Sequence, residues 1–77
     1  MPRSAPPDWV LDRRWQIGAQ IREARIQAGL TQDAVAHAIP MDRASYIRIE
    51  QGLVFPKLDT LLLIANVIGV PLAELVR

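Results

Sequence analysis

The sequence predicts an all-α fold, a compact bundle of five short helices. Apolar residues recur at helical spacing along most of the chain, and no apolar–polar alternation lasts long enough for a strand. Glycine or proline separates one helical segment from the next. With 77 residues, the chain is expected to form one small domain.

The first helical segment follows a proline-rich start. Residues 1–12 contain Pro2, Pro6 and Pro7 and are predicted to be a flexible N-terminal arm, with the domain occupying residues 13–77. The helix is expected from about Arg13 and to end at Gly29, on the spacing of Ile17, Ile21, Ala24 and Ala28.

Two shorter helices come next, each with a residue suited to cap its start. Thr31 is the predicted N-cap of the second helix, which Pro40 ends. Asp42 is the predicted N-cap of the third helix, which runs from Arg43 to about Gln51. Two short helices joined by a tight turn have the spacing of a helix-turn-helix.

The last third of the chain predicts two more helices. The fourth runs from about Leu58 to Ile68 and ends at Gly69, and the fifth runs from Leu72 to Val76 after Pro71. On the fourth helix, one set of apolar residues is enough to face the core: Leu58, Leu61, Ile64, Ala65 and Ile68.

Composition excludes several classes of function. The chain has no cysteine and one histidine, so neither a thiolate zinc site nor a histidine-rich metal site is expected. No nucleophile–base pair, carboxylate pair or phosphate-cradling loop is present, and neither an enzyme nor a cofactor is predicted. No secretory signal or membrane-length apolar segment is recognised, so we expect a cytoplasmic protein. The net charge of +1 by itself indicates no partner.

The third helix separates into two faces. Tyr46 and Ile49, three residues apart, are expected to point into the core. The opposite face consists of Arg43, Ala44, Ile47, Arg48 and Gln51. Arginine at the start of such a helix is shaped to grip guanine in a major groove, and each good pair contributes about 1–3 kcal/mol of discrimination. The alternative is that both arginines are ordinary solvated charges.

Over residues 16–76 the chain resembles the Xre-like family of phage-repressor-type helix-turn-helix domains. The resemblance rests on Ile17-Gly18, Arg25, Gly29-Leu30-Thr31-Gln32, Ala36, Ile49-Glu50, Gly52, Pro56, Leu58, Thr60-Leu61, Ile64-Ala65, Gly69-Val70 and Leu75. It implies double-stranded DNA as the partner, with base contacts from Arg43, Ala44 and Arg48 supported by Ser45, and a backbone contact from Gln32. Lys57, in the loop after the third helix, is a further candidate for a phosphate contact. Ile47 departs from the family, which often has a small or polar residue there, and is expected either to meet a thymine methyl or to lower specificity. The resemblance also implies that Arg25 and Glu50 are a structural ion pair between the first and third helices.

The fourth helix has more apolar residues than one core face needs. Leu62, Leu63 and Val67 remain, and with Leu72 and Val76 they predict the interface of a homodimer, through the region where the family commonly dimerises. The alternatives are a wide core-facing side or an arm that covers this surface with Trp9 and Leu11.

Together these features predict a sequence-specific DNA-binding transcriptional regulator, a homodimer on a palindromic operator with no small-molecule ligand. A chain this short would act by occupying DNA alone. The alternative function is a protein-interaction module of the same fold, similar to an antitoxin or a polymerase-binding domain. Pro40 stands where the family usually has glycine, so the turn before the third helix is expected to differ from the standard one.

Overall fold

The structure, a computed structural model, describes residues 5–77. It contains five helices, α1 (Asp8–Gln27), α2 (Gln32–Ala38), α3 (Arg43–Glu50), α4 (Leu58–Ile68) and α5 (Leu72–Val76). No strand occurs within this described range. The predicted all-α fold of five helices is confirmed.

The start of α1 differs from the prediction. The helix begins at Asp8 and not at Arg13, because Pro7 occupies its N-cap position and its carbonyl accepts a hydrogen bond of 2.9 Å from the amide of Val10. Asp8 lies in the first turn, where a carboxylate complements the positive end of the helix. Residues 8–12 of the expected arm 1–12 are therefore helical, and residues 1–4 lie outside the described residues.

The predicted capping residues are confirmed at α2 and α3. The Thr31 side chain accepts a hydrogen bond of 3.0 Å from the amide of Ala34, and Asp42 accepts one of 3.0 Å from the amide of Ser45. These bonds satisfy amides that a helix start otherwise leaves without a partner. They fix where α3 begins, and hence which of its residues face outward.

The turn between α2 and α3 keeps a standard helix ending despite its proline. The turns that follow α1 and α3 each contain a glycine with a positive φ angle, of 73° at Gly29 and 72° at Gly52. At the end of α2 the amide of Met41 still donates to the carbonyl of Ala36 over 2.9 Å. This is the 6→1 hydrogen bond of the Schellman motif. Pro40, with φ of 20°, has no N–H for the second bond of that motif. The expected difference in the turn is therefore a missing hydrogen bond and an unfavourable proline φ.

Every helix contributes one fully buried side chain to the core. These are Ile21, Val35, Tyr46, Ile64 and Leu75, in chain order from α1 to α5. Each of these side chains is 0% exposed, and together they form one hydrophobic core cluster that all five helices share.

The contact between α1 and α3 is unusually close at Gly18. A Cβ atom at this position would lie 2.5 Å from the carbonyl oxygen of Glu50 and 2.8 Å from that of Ile49. Only a residue without a side chain allows the two backbones to approach this far. Gly18 therefore sets how near α3 lies to the body of the protein.

One core prediction on α4 is wrong. Leu58 is 61% exposed, although it falls on the same helical stripe as the buried Ala65. Leu58 is the first residue of α4 and lies about 10 Å nearer the helix start than Ala65, past the edge of the core. It adds to the exposed apolar surface of the helix.

Candidate nucleic-acid interface

α3 presents a continuous outward arc. At 100° per residue, four of its residues and the one after it project over about 140° of the helix circumference. In angular order they are Arg43, Ile47, Gln51, Ala44 and Arg48. All are exposed except Ile47, which is half-buried near the centre of the arc. The predicted outward face of the helix is thus present in the structure.

The opposite side of α3 is anchored in the core. Tyr46 is fully buried and Ile49 is 4% exposed, which confirms their predicted direction. Glu50, beside them, is 6% exposed. Three buried residues on one side hold α3 so that its polar arc faces solvent.

Glu50 is the centre of a buried hydrogen-bond network. Its carboxylate accepts two bonds from Arg25, of 2.6 Å from Nε and 3.1 Å from Nη2. It also accepts 2.5 Å and 3.2 Å bonds from the Tyr46 hydroxyl and the Gln32 amide. Arg25 further donates from Nη1 to the Leu30 carbonyl over 2.8 Å. The expected pair of Arg25 and Glu50 therefore belongs to a larger cluster that joins α1, α2 and α3.

The network keeps Glu50 charged. Burial alone would raise the pKa of Glu50, but hydrogen bonds from Arg25, Tyr46 and Gln32 outweigh burial and lower that pKa below its ordinary value. The bond to Glu50 raises the pKa of Arg25, and burial together with that carboxylate raises the pKa of Tyr46. The cluster is therefore a buried ion pair with its lone pairs satisfied, which is the arrangement that offsets the cost of burying charge.

Gln32 belongs to this network and also lies at the surface. One hydrogen of its amide nitrogen points to Glu50, and the side chain is half-buried. An amide nitrogen carries a second hydrogen, which is available to an acceptor outside the protein. The bond to Glu50 would fix the direction of that second donor.

Arg43, the first residue of α3, is paired with Asp33 of α2. Arg43 Nε lies 2.8 Å from Oδ1 of Asp33, and both side chains are well exposed, at 64% and 71%. An exposed pair of this kind contributes about 0–1 kcal/mol. The contact between Asp33 and Arg43 depends on how α2 and α3 are packed.

Ser45 is held by Asp42, the residue that caps α3. Its hydroxyl donates to Asp42 Oδ1 over 2.7 Å, and its amide donates to Oδ2. Hydrogen bonds from the Ser45 side chain and amide lower the pKa of Asp42. The Ser45 oxygen still offers lone pairs, but its proton is already used.

Two depressions flank α3. One, of about 390 Å³, lies between α3 and the segment leading into α4, and Ser45, Arg48, Lys57 and Thr60 contribute to its wall. The other, of about 380 Å³, contains Gln32, Asp33 and Arg43. The structure thus brings Arg48 and Lys57 together, although nine positions separate them in the chain. Thr60 lines the first depression but was not among the predicted site residues, because its place depends on the path of the loop.

The residues predicted for the dimer interface differ in exposure. Leu62 and Leu63 are each 48% exposed, whereas Val67, Leu72 and Val76 are partly buried against the core of their own chain. The exposed part of this surface therefore consists of the two leucines, with Leu58 beside Leu62 on the helix surface.

Metal binding and membrane insertion are the two other features that concern the described residues. Within residues 5–77, no three His, Asp or Glu side chains lie close enough together to hold a metal ion. Among the helices described, none has the length and apolar character needed to cross a membrane.

Comparison with known proteins shows which family the chain belongs to. A family profile described as "Helix-turn-helix domain" matches residues 16–77. The chain belongs to the helix-turn-helix domain family. The resemblance recognised from the residues is confirmed, and α2, the turn at Pro40 and α3 are the helix-turn-helix itself.

Three similar proteins give this helix-turn-helix chain its context. It is 40% identical over 60 residues to the cryptic phage CTXphi transcriptional repressor RstR of Vibrio cholerae, and the match covers 78% of this chain. The chain spans 54% of the length of that relative. The crystal structure of the restriction-modification controller protein C.AhdI from Aeromonas hydrophila matches with a TM-score of 0.77 and 28% identity, over 83% of this chain and 96% of that one.

A structure titled as a hypothetical transcription factor, NHTF from Neisseria, matches this helix-turn-helix chain with a TM-score of 0.80, over 100% of this chain and 86% of that one. At 22% identity this likeness supports the fold alone. It includes α1 from its start, the part that the family profile does not reach.

Proposed function

We propose that this chain is a sequence-specific DNA-binding transcription regulator that places α3 in the major groove. The exposed arc of α3, held outward by Tyr46, Ile49 and Glu50, carries this proposal. A recognition helix needs an outward polar face at its first turns and a fixed direction, and α3 has both. The regulator class is supported by relatives that are named as a transcriptional repressor and a restriction-modification controller.

Arg43 and Arg48 are the proposed base-reading residues. A bidentate contact to guanine contributes about 1–3 kcal/mol of discrimination, whereas the exposed pair of Arg43 with Asp33 contributes about 0–1 kcal/mol. Base recognition therefore outweighs the internal pair, and Arg43 can leave Asp33 at small cost. Asp33 would in turn disfavour a phosphate close to Arg43, which directs this arginine toward a base.

Ala44 and Ile47 supply the apolar part of the reading surface. Ala44 is exposed beside Arg48, and Ile47 is half-buried between Arg43 and Gln51 on the arc. Their side chains suit the methyl group of thymine, which is the apolar mark of an A·T pair in the major groove. We therefore expect the half-site to combine guanine with thymine.

Three residues are proposed to contact the DNA backbone. Gln32 would donate its second amide hydrogen to a phosphate while the first stays on Glu50. Lys57 shares a depression with Arg48 and would supply a positive charge there. Ser45 is placed to accept a hydrogen bond, because its proton is bound to Asp42.

We propose a homodimer in which α4 faces α4 of a second copy. Burying the remaining exposed half of Leu62 and of Leu63 would contribute roughly 1 kcal/mol each. Four such leucines in a symmetric pair give about 4 kcal/mol, near the lower limit of the cost of association. The dimer is therefore expected to be weak in free solution and to be reinforced on a palindromic operator with half-sites about 34 Å apart.

The test is DNA binding by variants of the outward arc. Operator sequences would first be selected from random duplex DNA with the wild-type protein. Arg43→Ala and Arg48→Ala should each weaken binding to the selected site by about 1–3 kcal/mol and relax the preference for guanine at one position. Arg77→Ala is the matched control, because Arg77 lies in the depression between α1 and α5, away from α3.

Salt dependence separates DNA binding from the alternative function. Arg43, Arg48 and Lys57 give three cations per subunit at the DNA, so affinity should fall as salt is raised, with a logarithmic slope of at most about −5 for a dimer. If no duplex is selected at low salt, or if both arginine variants bind like the wild type, the DNA-binding proposal is wrong. A protein-interaction module would then be the better interpretation, and the half-exposed leucines of α4 would be its surface.

A further inference from the structure

The protein contains a cavity beside the first half of α1. It has a volume of about 250 Å³ and lies between the first half of α1, the loop after α3, and α4. Its wall is almost entirely apolar, formed chiefly by Trp9, Val10, Ile17, Val54, Phe55 and Leu61. Trp9 and Phe55, which are 71% and 68% exposed, stand at its rim, so the cavity is open to solvent there.

The size of the cavity decides what it could hold. An apolar cavity of about 150 Å³ stays dry and already binds benzene, and pockets for drug-sized ligands start at about 300 Å³. At 250 Å³ this cavity suits a small apolar molecule. Water is a poor occupant, because a buried water needs two or more polar partners and the wall offers few.

The only charged side chains on the wall are two arginines, among the lining residues described. Arg13 is already used, because its guanidinium donates to the carbonyls of Val76 and Arg77. Arg14 is different: its guanidinium carbon lies 4.4 Å from the centre of the Phe55 ring, and its buried Nε has no hydrogen-bond partner within the described residues. Nε itself is too enclosed to meet a ligand, so Arg14 would act through its terminal guanidinium nitrogens, beside Phe55 at the rim of the cavity.

We propose that this cavity binds a small apolar carboxylate, with its hydrocarbon part against the apolar wall and its carboxylate on Arg14. Charge complementarity supports an anion, because no Asp or Glu side chain contributes to the wall. The bound carboxylate would accept hydrogen bonds from the terminal guanidinium nitrogens of Arg14, which have no hydrogen-bond partner within the described residues.

The cavity shares a wall with the candidate nucleic-acid interface. Val54, Phe55 and Pro56 line both the cavity and the depression that contains Arg48 and Lys57. A ligand in the cavity would therefore press on the loop that shapes this depression. That consequence for DNA rests on the proposed function, whereas binding of the carboxylate does not.

The test measures binding of fatty-acid salts to the full chain without DNA. Octanoate, titrated by calorimetry and by amide chemical shifts, should bind saturably and shift the signals of residues around the cavity, including the indole of Trp9. Butanoate should bind about a hundredfold more weakly, because four fewer methylene groups reach the wall. Equal weak binding of both salts, or no saturable binding of octanoate, would overturn the proposal.

Three variants identify the site. Arg14→Met should weaken octanoate binding by about tenfold or more while leaving 1-octanol binding unchanged. Arg22→Met, the same change at an exposed arginine of α1 that does not line the cavity, should leave octanoate binding at the wild-type value. Val10→Phe, which fills the cavity, should abolish binding of both probes. Circular dichroism confirms that each variant is folded; unchanged octanoate binding by folded Arg14→Met or Val10→Phe contradicts the assignment.

Discussion

The two halves of α1 are held to the rest of the protein by different interactions. In the second half, Gly18 and Arg25 meet α3 through a close backbone contact and a buried, fully hydrogen-bonded ion pair. In the first half, Trp9 and Val10 face the loop after α3 across an apolar cavity of about 250 Å³. The second half fixes the position of the proposed recognition helix. The first half approaches Gly52 closely at Trp15 but leaves space beside Trp9 and Val10. The two regions should therefore respond in opposite ways to small changes.

The largest effect is expected at Glu50. Glu50→Ala removes one member of the buried pair and leaves the charge of Arg25 without its partner, which costs about 3–5 kcal/mol. For a domain of this size that is a large fraction of the total free energy of unfolding. Urea unfolding monitored by circular dichroism would measure the loss.

A double variant serves as the control for Glu50. Replacing both partners with apolar residues of similar size, Arg25→Met with Glu50→Leu, should be less destabilising than Glu50→Ala alone, because no unpaired charge remains buried. Some loss should persist, since Tyr46 and Gln32 would lose their acceptor. If the double variant is the less stable of the two, the cost does not come from the unpaired charge.

Acid should weaken the same region. The pKa of Glu50 is lowered in the folded chain, so as the pH falls the unfolded chain takes up the proton first. The stabilisation is complete above the unfolded pKa of about 4.3 and is lost as the pH falls through the lower folded pKa. Free energies of unfolding measured between pH 6 and pH 3 should therefore decline steeply at the acid end.

Matched variants assign this acid response. Glu50→Gln removes the titrating group and should flatten the decline, whereas Asp12→Asn, at an exposed carboxylate of α1, should leave it as in the wild type. Asp42, whose pKa the bonds from Ser45 also lower, should account for a remaining part of the slope. An unchanged slope in Glu50→Gln would show that the network does not carry the pH dependence.

Gly18→Ala tests how close α1 and α3 must be. Helix propensity alone favours the alanine by about 1 kcal/mol at an interior helical position. The new Cβ, however, would lie 2.5 Å from the Glu50 carbonyl oxygen, which belongs to the backbone and cannot rotate away. We expect a net destabilisation of about 1–3 kcal/mol. The measurement is the free energy of unfolding of Gly18→Ala relative to the wild type. An increase in that free energy would contradict the prediction and mean that α3 is free to move outward.

Parts of the molecule also differ in how far the sequence predicts them. Thr31, Asp42, Gly29 and Gly52 mark helix ends by local rules that need only a few neighbouring residues, so α2, α3 and the outward arc were predictable. The pair of Arg25 with Glu50 is 25 residues apart in the chain and was recognised only through the family resemblance.

The first half of α1 illustrates what local pattern leaves out. The exposure of Leu58 and the contact of Arg14 with Phe55 depend on the path of the loop after α3 and on which surfaces meet. Periodicity assigns a residue to a face but not to a height along the helix axis, and so it placed Leu58 in the core. A cavity has no sequence pattern of its own, because it is the space that residues distant in the chain fail to fill.

The smallest effect compares one substitution at the cavity beside the first half of α1 and in the packed core. Val10→Leu adds a methylene group to a side chain on the cavity wall, and we expect it to be neutral or to stabilise the protein by about 0.5–1 kcal/mol, as cavity filling commonly does. Val35→Leu makes the same change at a fully buried position of α2, where overpacking should cost about 1–3 kcal/mol. Both replacements exchange valine for leucine within a helix, so helix propensity cancels and the difference in unfolding free energy reports the space available. If Val10→Leu destabilises the protein as much as Val35→Leu does, the first half of α1 is as tightly packed as the core, and neither the space beside Trp9 and Val10 nor a ligand-sized cavity beside Arg14 can stand.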